Sequence, residues 1–253
     1  MSVLNKLSKF YINSKLTKGY IGKTEKGKNI PFFLVEKTSY PTVIVQASIH
    51  AREYITTYLC LKLIKHFNRH GKKGRVFFIP MVNLDGVEIC LQGKPNYKAN
   101  ANGVDLNVNF DAKWGKGQKN LFTSGEENYV GKHPFSESES RALKDFTTLV
   151  GPDLTISYHS KGEEIYWEFF QDKNTLKRDY VFAERAKKVT GYAVKSTPNS
   201  VGGYKDWCID KLKIPALTIE VGSEQLTHPI GKKHLRKIYR QNKKLLNSLM
   251  QLF

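Results

Sequence analysis

The stretch "IVQASIHAREYITTYLC", residues 44–60, decides how the rest of the chain is read. It lies inside an apolar, β-branched run, 42–49, that predicts a strand buried on both faces. The run ends on His50. Glu53 follows three positions later, and a helical pattern begins there, with Leu59, Leu63 and Phe67 four apart over 53–69. A strand that delivers an imidazole and then turns into a helix is the signature of an α/β sheet with a site at its rim.

Three further runs have the same buried-strand character: "RVFFIPMVN" (75–83), "LTISYHS" (154–160) and "ALTIEVG" (216–222). "EEIYWEFF" (163–170) reads as a further strand or an extended loop. Helical patterns lie between them at 136–149, 176–190 and 202–212. Ser136 and Glu139 have capping-box spacing at the start of the first. A last helix over 231–251 puts Leu235, Ile238, Leu245 and Leu249 on one face and its lysines on the other. The first 35 residues, with a Gly/Lys turn in "GYIGKTEKGKNIPFFLVEK", resemble a hairpin. Strands alternating with helices predict an α/β fold: a mostly parallel, mixed sheet flanked by helices on both faces. The length of 253 residues suits a single domain over 1–253.

In such sheets ligands bind beyond the carboxyl ends of the strands. His50, His159 and Glu220 all fall at those ends, and strand 75–83 runs into "NLDG". Two imidazoles and a carboxylate hold a zinc ion and leave a fourth position open. His50 and Glu53 reach one ion if the chain turns immediately after His50, and His159 completes the set from a neighbouring strand. Read alone, each has a plainer role: His50 as a core histidine, Glu53 as a helix N-terminal acid, His159 as a solvent-facing strand residue. Glu220 is the hardest to explain without chemistry. Its neighbours in "PALTIEVG" are apolar, and an unpaired buried charge is expensive.

Composition narrows the partners. There are 41 Lys and Arg against 23 Asp and Glu, a net charge of +18, and the excess is uneven. Residues 1–30 hold seven Lys and one Glu, while 231–253 hold seven Lys or Arg and no acid. That field favours an anionic partner, although a solvated lysine-rich surface explains it too. No nucleic-acid motif accompanies the charge, so nucleic acid is not expected. Cys60, Cys90 and Cys208 are far apart, odd in number and form no CxxC pair, so neither a disulfide framework nor a thiolate metal site is suggested. No apolar stretch suits a membrane span or signal-peptide core, so a cytoplasmic location is the default expectation, with release to the cell wall by a non-classical route open.

The pieces "HAREYIT", "VNLDGVE", "NGVDLNVNF", "SYHS", "GGYKDW" and "TIEVG" together resemble the zinc carboxypeptidases (M14). They occur in family order. "YKANANGVDLNVNFDAKWG", "GKHPFSESESRAL" and "SYHSKGEEIYW" are most similar to the bacterial γ-D-glutamyl-diaminopimelate (diamino acid) peptidases. The resemblance implies a carboxypeptidase-like fold and one Zn2+ ion held by His50, Glu53 and His159. Glu220 is implied as the general base and Asp105 as the acid orienting the first ligand histidine; alone, Asp105 also suits a turn. Arg52, Asn107, Lys98 and Lys205 fall at substrate-side positions. Read alone, Arg52 and Lys205 are also ordinary surface cations.

The departures are informative. The family's "NRN" is "NVN" here, with Val108 replacing an arginine that grips a terminal carboxylate bidentately. Lys98 lies roughly where the family has an oxyanion-stabilising arginine. Lys205 takes the position that sets side-chain preference, and a lysine there favours an acidic group. No tyrosine precedes "GG" in "STPNSVGGYKDW", where the family has a mobile one. The implied activity is zinc-dependent hydrolysis of peptidoglycan stem peptides or muropeptides at the γ-D-Glu–diaminopimelate (diamino acid) bond. Removal of a single C-terminal residue, and an inactive binder of anionic cell-wall polymer, are the competing readings.

Overall fold

The computed structural model describes residues 1–197 and 200–253. The strands are β1 (Thr17–Lys23), β2 (Asn29–Glu36), β3 (Thr42–Ala47), β4 (Arg75–Ile79), β5 (Leu154–His159), β6 (Glu164–Tyr166), β7 (Ala193–Lys195) and β8 (Ala216–Glu220). They form one sheet in the order β1-β2-β4-β3-β5-β8-β6-β7. The four central strands, β4-β3-β5-β8, are parallel, while β2 pairs antiparallel with β4 and β6 antiparallel with β8. Every residue of β3 and β5 is buried, which is why those runs lack polar alternation.

The helices are α1 (Val3–Asn13), α2 (Ile55–His70), α3 (Leu84–Leu91), α4 (Ser138–Val150), α5 (Lys173–Thr190), α6 (Tyr204–Leu212), α7 (Leu235–Asn242) and α8 (Leu245–Leu249). On one face of the sheet, Val43, Val45, Ile156 and Leu217 meet Leu59, Leu63 and Phe67 of α2, together with apolar residues of α1, α5, α7 and α8. On the other, Ile44 and Ala216 meet Leu143 and Phe146 of α4 and Trp207 and Ile209 of α6. A fully buried side chain such as Leu59 stabilises this layering by roughly 1.5–3 kcal/mol. Helices thus cover both faces, as the sequence predicts. The parallel registers set His159 beside Glu220 and leave both at the same sheet edge.

Several expectations are corrected. Residues 3–13 are helical: Ser2 caps Asn5 N–H through its side chain, and Val3 and Leu7 face the core. The hairpin is confined to β1 and β2. The run 75–83 stops at Ile79, and Asn83 then caps α3, which the sequence reading missed along with β7. The capping box at Ser136 does not form. α4 starts at Ser138 after Glu137, and the Glu139 side chain turns instead to Glu25 N–H and Asn100 Nδ2. The last helix breaks between α7 and α8, where Asn242 donates from Nδ2 to Ile238 O and to Tyr192 Oη. A buried amide bonding its own preceding turn competes with the helical ladder. Pro198 and Asn199, in the segment where the family tyrosine is expected, lie outside the described residues.

Candidate metal centre and active site

The site begins with a strained turn. Ser48, just past β3, has φ +50°, unfavourable for a residue with a Cβ. It is fixed by three hydroxyl contacts: its N–H donates to Thr56 Oγ1 at 3.0 Å, and its Oγ lies 3.0 Å from Thr56 Oγ1 and 2.7 Å from Thr57 Oγ1. The chain then enters a 3-10 turn, Ala51–Glu53, preceded by His50. With three residues per turn, positions i and i+3 eclipse. That geometry stacks the Glu53 carboxylate on the His50 ring, Oε1 2.8 Å from Nδ1. Asn83 braces the same segment from below, donating from Nδ2 to Ile49 O and Ala99 O.

His159, at the end of β5, completes the group. Its Nδ1 lies 3.1 Å from Glu53 Oε2 and 3.1 Å from His50 Nδ1. All three residues are buried, and their donor atoms lie within 4.8 Å of one another. Asp105 stands on the far side of His50, Oδ1 3.2 Å from Nε2, and Lys98 Nζ is 2.7 Å from Asp105 Oδ2. Backbone N–H groups of Asn107 and Asn128 also donate to the Asp105 carboxylate. Burial alone would raise the Asp105 pKa, but Lys98 and His50 more than offset it and hold the carboxyl well below its usual range. Burial likewise opposes ionisation of Glu53, and His50 and His159 reverse the balance. Lys98 is held charged: burial works against it, and Asp105 prevails.

The donor set fits zinc. While neutral, His50 has one N–H to give and a carboxylate at each ring nitrogen. If Nε2–H faces Asp105, the Nδ1 lone pair faces Glu53, and a cation is what reconciles them. The set of two imidazoles and one carboxylate is that of an open zinc site. Glu220 adds the second observation: its Oε2 is buried with no hydrogen-bond partner among the described residues. Burial pushes the Glu220 carboxyl up to about 8.

A cavity of about 550 Å³ opens onto this edge. His50, His159, Glu220, Asp105, Lys98, Arg52, Asn107 and Lys205 all line it, and Glu53, which is not a lining residue, sits against His50 and His159. Their engagements differ. Asn107 Oδ1 accepts from Tyr204 N–H, and Val108 stands next to it as an apolar wall. Arg52 donates to Asn96 O and pairs with Glu127 at 3.2 Å, so it is neither free nor simply solvated. Lys205 is buried rather than superficial: Nζ donates to Glu168 O at 2.8 Å and pairs with Asp206 at 2.5 Å. Trp207 packs against Phe110 and Phe135 and is a core residue.

Two contributors escaped the sequence reading. His228 is half-buried; its Nε2 lies 2.9 Å from Ser160 O, and Ser160 N–H donates to Glu53 Oε2. Burial lowers its pKa, so the neutral ring donates to the Ser160 carbonyl. Tyr166 lines the cavity from β6, beside Thr218, with its hydroxyl on Glu164. Neither has a spacing that a linear pattern reveals, since both reach the site through sheet pairing or a distant loop.

The chain was compared with known proteins. A sequence profile of the zinc carboxypeptidases, peptidase family M14, matches residues 6–244. A γ-D-glutamyl-L-diamino acid endopeptidase from Lysinibacillus sphaericus is 29% identical over 87% of this chain and 64% of its own length. The chain spans about 60% of the length of the first curated relatives it matches. Among solved structures, bovine thrombin-activatable fibrinolysis inhibitor aligns over 99% of this chain and 96% of its own with TM-score 0.88 and 21% identity. A murein-tripeptide amidase from Escherichia coli O157 aligns over 91% of both chains with TM-score 0.65 and 22% identity. At those identities the solved structures speak to the fold, and the profile, matched over nearly the whole length, places the chain in the zinc carboxypeptidase family.

Proposed function

We propose that this chain is a zinc-dependent peptidase that hydrolyses peptidoglycan stem peptides at the bond between γ-D-glutamate and a diamino acid. The observation that carries the reading is the group His50, Glu53 and His159 at a cavity that Glu220 also lines, with a Glu220 oxygen that has no hydrogen-bond partner among the described residues. Similarity to an endopeptidase of that named specificity supports the choice of bond. Bound at the three ligands, zinc supplies a Lewis acid that polarises the scissile carbonyl.

The remaining steps belong to the protein. Glu220 accepts a proton from the attacking water and returns it to the leaving amine. A carboxyl whose surroundings raise its pKa is a competent donor in the second step, and positive charge at the ligands favours its ionised form in the first. Asp105 keeps the His50 proton on Nε2, leaving Nδ1 for the metal. Lys98 brings a fixed positive charge to the cavity near the carbonyl, although a lysine lacks the fork of an arginine. Lys205 uses two contacts internally and has a third N–H to give to a substrate carboxylate. Diaminopimelate carries such a group. Val108 offers nothing to a terminal carboxylate, which favours internal cleavage over removal of a single residue.

The test is a tetrapeptide stem, L-Ala-γ-D-Glu-diaminopimelate-D-Ala, incubated with the protein and followed by mass spectrometry. Release of a diaminopimelate-D-Ala dipeptide, abolished by a chelator, is expected. Release of D-Ala alone means a carboxypeptidase. No chelator-sensitive cleavage, in a protein that also retains no zinc after dialysis, sinks the enzyme reading.

A further inference from the structure

The two basic ends of the chain, more than 200 residues apart, meet in the fold. α1 and α7 both pack on α2, so the three helices share one face of the sheet. Lysines stitch them together over aromatic rings. Lys65 Nζ of α2 lies 5.5 Å from the ring of Phe10 in α1, and Lys62 Nζ 5.1 Å from that of Tyr239 in α7. Lys6 and Lys232 share the ring of Tyr58, at 5.5 and 4.6 Å. Not one of Val3–Asn13, Ile55–His70 or 231–253 is an acid. Of the lysines and arginines on these segments, only Lys237 has a carboxylate partner among the described residues, Glu163 at 2.7 Å. None of them lines the catalytic cavity.

Ordinary solvated surfaces intersperse both signs. Here three adjoining helices carry one sign with almost no compensation among the described residues, a self-repulsion that a bound anion would relieve. We infer that this face docks a flexible polyphosphodiester of the cell wall, a chain with one negative charge per repeat and no bases. Charge complementarity selects a polyanion. The rings on the face lie beneath lysines, and Tyr58 is only 3% exposed, so no stacking platform for nucleobases is presented. Exposed large apolar groups here are limited to Met1 and Ile12, too few to wedge into a bilayer. The Nζ groups of Lys6, Lys62, Lys65 and Lys232 lie over the rings and these lysines are exposed, which suits adaptable point contacts to successive phosphates. α2 starts two residues after Glu53 and runs about 24 Å away from the catalytic edge, with its cations Lys62, Lys65 and Arg69 placed from its middle to its far end. A polymer lying along it would hold the enzyme on the wall with the cavity free. The choice of a wall polymer rests on the proposed wall-peptide activity; the charged face does not.

The experiment compares two proteins of equal net charge. One carries Lys62→Gln, Lys65→Gln, Arg69→Gln, Arg236→Gln and Arg240→Gln. The control carries Lys116→Gln, Lys132→Gln, Lys173→Gln, Lys177→Gln and Lys195→Gln, exposed elsewhere. Binding to purified poly(glycerol phosphate) is measured at about 50 and 200 mM salt, beside duplex DNA and phosphatidylglycerol vesicles, with stem-peptide cleavage as a separate assay. Expected results are tight, salt-sensitive polymer binding, falling at least about tenfold across that range, and at least tenfold weaker binding by the helix-face variant. The control should stay within twofold of the parent, and cleavage should be unchanged in both. Equal losses in the two variants would overturn the proposal, as would tighter binding to DNA or vesicles than to the polymer. Failure of the parent to cleave the peptide, with polymer binding intact, overturns the proposed activity and leaves the docking face standing.

Discussion

Among the described residues, two groups of three ligand-type side chains come together, and they are not equivalent. His50, Glu53 and His159 form one; Glu25, Glu137 and Glu139 form the other, and both bring potential ligand atoms within 4.8 Å. In the second, donors meet the carboxylates. Asn100 Nδ2 reaches Glu137 and Glu139, Asn102 Nδ2 reaches Glu137, Ser138 N–H donates to Glu25, and Glu25 N–H donates to Glu139. The group ties the β1–β2 turn to the start of α4. In the first, donors are fewer than acceptors: Ser160 N–H donates to Glu53 Oε2, but carboxylates stand at both nitrogens of His50, which has one N–H to give while neutral, and Glu220 Oε2 has nothing to accept from among the described residues. Proximity of ligand atoms is therefore not what marks a metal centre. A shortage of protein donors is.

The sharpest way to break this contrast is to remove one carboxylate from each group. Glu53→Gln should abolish zinc retention and with it chelator-sensitive cleavage, whereas Glu137→Gln should leave one zinc per chain, by elemental analysis after dialysis. Equal zinc loss in both would show that the contrast of donors means nothing. Glu220→Gln should keep its zinc and lose roughly 10²–10⁴-fold in kcat on the tetrapeptide, the usual range for a general acid–base group. A full-rate Glu220→Gln enzyme would remove Glu220 from the chemistry.

The acidic group gives a pH prediction. Burial raises the Glu139 carboxyl to about 7 from an ordinary value near 4.5. The folded state then holds a proton that the unfolded chain releases, so this carboxyl's contribution to stability is fully present below about 4.5 and is lost as pH rises toward 7. The loss is roughly 3 kcal/mol. Thermal unfolding followed from pH 4.5 to 8 should show this decline, and Glu139→Gln should flatten it. A Glu139→Gln variant whose pH dependence matches that of wild type contradicts the assignment. Smallest of all, Asp105→Asn should weaken zinc affinity by about 10–100-fold while the fold persists, the effect expected of a group orienting a ligand histidine. Competition with a fluorescent chelator reads it directly, and unchanged affinity would mean that Asp105 serves only its loop.

The readable parts of the sequence were those where local pattern and final environment agree. β3, β5 and β8 are buried on both faces, so their apolar runs stand out, and His50, His159 and Glu220 fall at their ends. α1 was obscured because its Lys-rich surroundings read as a turn, although Ser2, Val3 and Leu7 carried a cap and a helical stripe. α3 was hidden by its brevity and by Gly86, which has Ala99 O and the Asn83 amide so close that a Cβ would clash with both. Lys205 was legible as a site residue but not as a buried one: its exposure depends on Asp206 and Glu168 coming to meet it.

By itself, the sequence determined which strands are central, the order in which the ligand residues arrive, and the family to which the chain belongs. Those properties follow from local hydrophobicity and from motifs contiguous along the backbone. Only the tertiary structure decided that Glu25, Glu137 and Glu139 are satisfied while Glu220 is not, that His228 holds Ser160 behind Glu53, and that two basic ends become one face. Each depends on which donors and charges the fold brings within a few ångströms, and hydrogen bonds and charges act over that distance in space, whatever the separation along the chain.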